Sequence, residues 1–206
     1  LVGESGCGKT TLGRLLVRLE NPSVGKIFFN GEDITHLRGG RMRRQRRQMQ
    51  IIFQDHSSSL NPRFTLRETL TEAVRVHRSR LSRQELNGRL AALLAMVGLN
   101  SSVLDKFPKE LPGGKRQNVA IARALAVEPR FIIADEPVSS LDSTSRAQIV
   151  DLLASLRKEL SVSFLLISHD LDVVKRLSNR VAVMYLGRVI EIAPTKKIFF
   201  SPKHPY

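Results

Sequence analysis

Gly3-Glu4-Ser5-Gly6-Cys7-Gly8-Lys9-Thr10 is the stretch of this 206-residue chain whose reading decides the fold. Leu1-Val2 before it looks like the end of a strand, and Leu12, Leu15, Leu16 and Leu19 after it recur at helical spacing. The glycine-rich turn is therefore expected to join a strand to a helix. It matches G-x-x-x-x-G-K-[ST] in full, a pattern in which glycines let backbone N–H groups curl round phosphate oxygens and the helix N-terminus adds a favourable dipole. Lys9 is expected to neutralise the β- and γ-phosphates of a nucleotide, and the Thr10 hydroxyl to ligate Mg²⁺. The cradle for ATP then runs from Gly3, Glu4, Ser5, Gly6, Cys7 and Gly8 through Lys9, Thr10 and Thr11. Cys7 has two readings: a reactive thiol at a helix N-terminus, or a residue whose backbone alone matters, and the second is preferred.

Outward from that turn, Ile27 to Phe29 reads as a short strand, Asn30-Gly31 as a tight turn, and Met49 to Phe53 as a buried strand with Gln54 at its end. From about Thr65 to Ala126 the pattern turns helical, with Leu86, Leu90, Leu93, Leu94 and Val97 on one stripe, Ser82 and Glu85 as a capping box, and Gly98 as a stop. Strands return at Phe131 to Ala134 and Val162 to Ile167, separated by a helix carrying Ile149, Leu152, Leu153, Leu156 and Leu160. Val181 to Tyr185 and Arg188 to Ala193 close the chain as a hairpin. Alternating strands and helices argue for a mainly parallel sheet in an α/β core with an inserted helical subdomain. The core is expected over residues 1–64 and 127–206, and the helical subdomain over 65–126, within a single domain.

Two further strand ends carry chemistry. Phe131-Ile132-Ile133-Ala134-Asp135-Glu136 is an apolar run ending in two carboxylates, about 125 residues after the phosphate loop. A Mg²⁺-nucleotide site needs an acidic partner at the end of a neighbouring strand, which assigns Asp135 to the metal and Glu136 to general-base work on a water. Ile167-Ser168-His169-Asp170 ends another apolar strand, so His169 should emerge on the same edge, within reach of the γ-phosphate.

The ordered set of phosphate loop, Gln54 after Ile51-Ile52-Phe53, Leu111-Pro112-Gly113-Gly114-Lys115, Asp135-Glu136, Ser139-Ser140-Leu141-Asp142 and His169 resembles the ABC transporter ATPases over nearly the whole chain. The resemblance implies a P-loop NTPase (RecA-like) core, and a dimer in which ATP is sandwiched between one subunit's phosphate loop and the other's signature loop. Here the signature residues would be Pro112, Gly113, Gly114 and Lys115, followed by a helix from Lys115 to Ala126 that is apolar nearly all round. By the same resemblance Gln54 contacts Mg²⁺ or the attacking water and links the site to a membrane partner, Asp142 communicates across the dimer, and His169 holds the γ-phosphate. Ser59-Leu60-Asn61-Pro62-Arg63 and Pro202-Lys203-His204-Pro205-Tyr206 resemble the ATPases of oligopeptide and dipeptide importers, whose relatives also carry nickel. The implied partners are a second ABC ATPase subunit, transmembrane permease subunits and an extracytoplasmic substrate-binding protein, with the chain at the cytoplasmic face of the membrane.

Two positions depart from the family's usual Leu-Ser-Gly-Gly-Gln: Pro112 replaces the serine and Lys115 the glutamine. Proline lacks both the hydroxyl and the N–H, although it is tolerated in a helix's first turn, and Lys115 restores some positive charge. Because the signature serves the partner's nucleotide, an asymmetric heterodimer with one weak site is expected. His56 stands where the family commonly has proline, and the residue that would stack on adenine lies upstream of Leu1 in the family.

Bulk properties bound the alternatives. No apolar stretch approaches the roughly 20 residues of a spanning helix, and a single cysteine excludes internal disulfides and Cys-based zinc sites. A first residue other than Met is read as the mark of a fragment. The net charge of +14, with arginine at six of the ten positions 38–47, suits either an anionic partner or a solvated basic helix. Two other functions stay open: a soluble ABC-type ATPase acting on nucleic acid or ribosomes, and a nucleotide switch that does not hydrolyse. On the preferred reading no nucleic acid is expected.

Overall fold

The computed structural model describes residues 1–54, 60–77 and 80–206. Strand β1 (Val2–Gly3) leads into the glycine-rich turn, and helix α1 (Lys9–Leu16) starts after Gly8, whose φ of 101° is open to glycine but strained for other residues. Strands β2 (Phe28–Phe29) and β3 (Glu32–Asp33) form a hairpin closed by Asn30 and Gly31, with φ of 49° and 79°, the two left-handed residues that a type I′ turn requires. Helix α2 (Gly39–Gln48) then runs directly into β4 (Met49–Ile52).

The helical region contains α3 (Leu66–His77), α4 (Arg83–Met96) and α5 (Gly113–Leu125). The expected capping box is present: Glu85 N donates to Ser82 Oγ, and Ser82 N donates to the Glu85 carboxylate. Leu90, Leu93, Leu94 and Val97 are buried along one side of α4, and Gly98 ends it with φ 69°. Helix α5 differs from the expected Lys115 start. It begins at Gly113, and Lys115 is exposed, whereas Val119, Ala120, Ile121 and Ala122 are buried. Its first turn is therefore partly exposed, and its later part is enclosed except at Arg123.

The remaining elements are β5 (Phe131–Asp135), α6 (Ser143–Glu159), β6 (Ser163–Ile167), α7 (Leu171–Leu177), β7 (Arg180–Tyr185), β8 (Arg188–Pro194) and α8 (Thr195–Phe200). β4, β5 and β6 pair in parallel, β1 pairs in parallel with β7, and β7 and β8 form the expected antiparallel hairpin. Leu1 joins the two groups: its N donates to Leu166 O at 2.6 Å and its O accepts from Ser168 N at 3.2 Å, the slanted pattern of a parallel ladder. The strand order is thus β4-β5-β6-β1-β7-β8, with one antiparallel strand at an edge.

β5 is paired on both sides, with β4 and β6. Ile132 and Ala134 pack into one core cluster with the helical region, and Ile133 packs on the opposite face with Met49, Ile167 and Met184. A strand covered on both faces reads as an unbroken apolar run. The C-terminal ends of β1, β4, β5 and β6 emerge on the same edge, where ligands of parallel α/β sheets bind. Among the described residues no helix is long and apolar enough to cross a membrane.

Candidate functional site

At that edge lies a cleft of about 610 Å³, lined by Gly3, Glu4, Ser5, Gly6, Gly8, Lys9, Thr10, Thr11, Gln54, Glu136 and His169. Each strand end delivers one part: the glycine turn after β1, Gln54 after β4, Asp135 and Glu136 at β5, and His169 after β6.

The glycine turn is built by close approach. A Cβ on Gly3 would sit 2.2 Å from Met184 O and 2.8 Å from Cys7 Sγ, so no other residue fits there. Cys7 is buried with Ile133, Ile167 and Met184, and its carbonyl accepts from Gly187 N at 3.1 Å. Its side chain therefore packs the underside of the turn rather than being incidental, and a buried sulfur is no exposed nucleophile. Lys9 is tucked inward: its ammonium donates to Gly3 O at 2.8 Å and Glu4 O at 2.7 Å, and stands 3.8 Å from Cys7 Sγ.

Asp135 is only 2% exposed, and its Oδ1 is buried without a hydrogen-bond partner. Burial raises its carboxyl above the ordinary carboxylate range, the nearby Glu136 charge raises it further, and a hydrogen bond from the Thr10 side chain pulls the other way. A buried, unpartnered carboxylate oxygen beside a hydroxyl is a donor set that suits a hard divalent cation such as Mg²⁺.

Glu136 holds the centre. Its carboxylate accepts from Gln54 Nε2 at 3.3 Å and pairs with His169 Nδ1 at 2.9 Å. Its backbone is left-handed, φ 45°, fixed by Glu136 N donating to Ile167 O at 2.9 Å and by Ser139 N and Oγ donating to Glu136 O. Pro137 disfavours the right-handed helical region for this residue, and a left-handed glutamate costs about 1–3 kcal/mol. That strain turns the carboxylate into the cleft.

The structure does not bring the Leu111 to Lys115 loop to this cleft. Pro112, Gly114 and Lys115 line a separate groove of about 480 Å³ with Gly98, Asn118, Ser145 and Gln148. Pro112 caps α5 without a side-chain hydrogen bond. Asp142 is exposed at the start of α6, where the Ser145 amide donates to it at 2.9 Å and holds its carboxyl below the usual range. His56 and Ser59 lie outside the described residues.

Sequence reasoning missed a clamp near the phosphate loop. Glu191 accepts from the backbone N–H of Lys203 and of His204, both at 3.0 Å, and the Tyr206 ring packs on Tyr185 with centroids 4.9 Å apart. Only Pro202 and Pro205, which stiffen that segment, hinted at it.

Comparison with known proteins places the chain in a family. The family model described as ABC transporter matches residues 1–139. The chain belongs to the ABC transporter family. This ABC transporter chain is 46% identical over 211 residues to the oligopeptide transport ATP-binding protein OppF of Bacillus subtilis, covering 100% of the chain and 68% of that relative. It is 49% identical over 208 residues to a probable peptide ABC transporter ATP-binding protein, y4tS, of Sinorhizobium fredii, covering 100% of the chain but 58% of that protein's length. Among solved structures, the dimeric post-hydrolysis state of the ATP-binding cassette MJ0796 bound to ADP and Pi superposes with a TM-score of 0.83 at 29% identity, covering 94% of this chain and 83% of that one.

Proposed function

We propose that this chain binds and hydrolyses ATP as a nucleotide-binding subunit of an importer for oligopeptides or dipeptides. The observation that carries the reading is the Glu136 carboxylate, held between Gln54 and His169 at the mouth of the phosphate-loop cleft. The peptide class rests on relatives named for oligopeptide and peptide transport at 46% and 49% identity.

In this reading the turn from Gly3 to Thr11 binds the phosphates, with Lys9 supplying charge. Thr10 and Asp135 would hold Mg²⁺, which when bound would neutralise charge developing on the phosphates. Glu136 takes the proton of the attacking water, His169 fixes the carboxylate and contacts the γ-phosphate, and Gln54 senses the occupied site. Catalysis is positioning and electrostatics, with little covalent chemistry.

The separation of the Pro112 to Lys115 loop from this chain's own cleft supports a dimer in which that loop completes a partner's site, as does the dimeric form of the MJ0796 cassette. Pro112 weakens that partner site, which favours a heterodimer. The helical subdomain of residues 65–126 is proposed to meet permease subunits at the cytoplasmic face of the membrane, with a substrate-binding protein on the far side.

Steady-state ATP hydrolysis by the full-length subunit, with and without its partner ATPase, tests the reading. Stimulation by the partner, and a further rise with Pro112→Ser, are expected. Absence of turnover in every combination would leave a nucleotide switch in its place.

A further inference from the structure

The arginine-rich segment has no role in the chemistry above, yet the fold displays it deliberately. Helix α2 turns Met42 and Gln45 inward, both buried, while Arg41, Arg43 and Arg44 are exposed on the other side and Arg38 is exposed just before the helix. At about 100° per residue, Arg41, Arg44, Arg47 and Arg43 follow one another round the arc opposite Met42 and Gln45.

Nothing local repays this arrangement. Arg41 with Arg44, and Arg43 with Arg47, are like-charge neighbours at helical contact spacing. Arg38 and Arg41 stand at the positive end of the helix dipole, and the first turn carries no acidic residue. Among the described residues no ion pair reaches Arg38, Arg41, Arg43 or Arg44. The neighbouring carboxylate, Glu32, is engaged by Gln45 on the inner side. Arg46 donates to Arg18 O, and Arg47 is half-buried with its Nε enclosed, so the freely exposed arginines are Arg38, Arg41, Arg43 and Arg44.

We infer that the exposed arginine arc of α2 is a docking surface for anionic phospholipid headgroups. The arc offers guanidinium groups, which grip phosphate through paired N–H donors, on long side chains that conform to a flat surface. It presents no exposed apolar or aromatic side chain, so it lacks the aromatic anchors common at protein interfaces and the aromatic stacking surfaces that hold unpaired bases. Attachment is electrostatic and superficial, without insertion. The choice of membrane over duplex nucleic acid rests on the proposed role as a transporter subunit, and the test keeps the two apart.

The full-length protein is sedimented with vesicles of phosphatidylcholine alone or mixed with phosphatidylglycerol at about 0.1 M salt, where charge acts over roughly 10 Å. An arginine at an anionic surface contributes about fivefold to the partition constant. Joint replacement Arg38→Gln, Arg41→Gln, Arg43→Gln and Arg44→Gln is therefore expected to weaken binding to the anionic vesicles by at least about a hundredfold. A variant of equal net charge, with Arg188, Lys196, Lys197 and Lys203 changed to Gln, should lose much less. ATP hydrolysis in solution should be unaltered by the α2 changes, so failure of the ATPase reading shows separately, as an inactive wild type. Equal losses in both variants, or equal binding to phosphatidylcholine alone, would overturn the inference. So would an α2 variant that keeps its vesicle binding while losing affinity for duplex RNA or DNA.

Discussion

Gly114→Ala separates two reasons for a glycine in the Pro112 to Lys115 loop. A Cβ built on Gly114 meets Ser145 Oγ at 2.7 Å and Ser145 Cβ at 2.9 Å, so α5 starts almost in contact with the first turn of α6. The hydroxyl can rotate away, but the Cβ cannot. The two helix starts must part by at least about 0.5 Å to reach the 3.4 Å of ordinary contact. Overpacking of this kind costs about 1–3 kcal/mol. With a urea m-value of about 2 kcal/mol/M, a loss of about 2 kcal/mol lowers the midpoint by about 1 M. The control is Ser145→Gly, which removes both clashing atoms: in that background Gly114→Ala should cost less than half as much, a coupling readable from a double-mutant cycle. Urea titration of the chain without nucleotide or partner isolates the effect within one subunit. Additive losses, or a midpoint unmoved by Gly114→Ala, would refute the packing argument and leave the glycine to be explained by access to a partner's nucleotide alone.

Other expectations follow from the same geometry. Glu136→Gln keeps the shape but not the base, so kcat for ATP hydrolysis should fall by about 10²- to 10⁴-fold while nucleotide binding in a filter assay persists. For Asp135 the sign is set by its raised pKa: folding disfavours the charged form, a penalty present above the folded pKa and gone once pH drops below the ordinary carboxylate range near 4. Nucleotide-free Asp135→Asn should therefore be at least as stable as wild type at pH 7, with the advantage shrinking as pH falls, and should lose the added stability that Mg²⁺-ATP gives wild type. Urea midpoints at pH 7 and pH 4.5 check both. Ser82→Ala removes the α4 capping acceptor and should cost about 1 kcal/mol in the same titration, without altering ATP affinity.

The elements that were legible before any coordinates were those with local causes. The glycine turn, the apolar runs ending in Gln54, Asp135 and His169, the Ser82 cap and the leucine stripe of α4 each state their geometry within a few residues. Parallel pairing then brings the strand ends together, so the candidate site was readable as a list of residues. What escaped depends on contacts between distant segments. The left-handed Glu136 is fixed by Ile167, across the sheet. The place of Cys7 depends on Met184 and Ile133, and the partial exposure of the first turn of α5 on how closely α6 packs against it. Glu191 gave no signal because its partners are backbone amides, which every residue but proline carries.

The inward fold of Lys9 changes what nucleotide arrival means. Its ammonium contacts the carbonyls of Gly3 and Glu4 and faces the Cys7 sulfur, so the turn is braced by the chain's own cation. A phosphate bound at this turn competes with those two carbonyls for the ammonium. Recognition then begins at long range, through charge, and only later through bonds. Charge gathered at this turn acts beyond contact distance, so the speed of nucleotide capture should answer to ionic strength before it answers to the identity of the base.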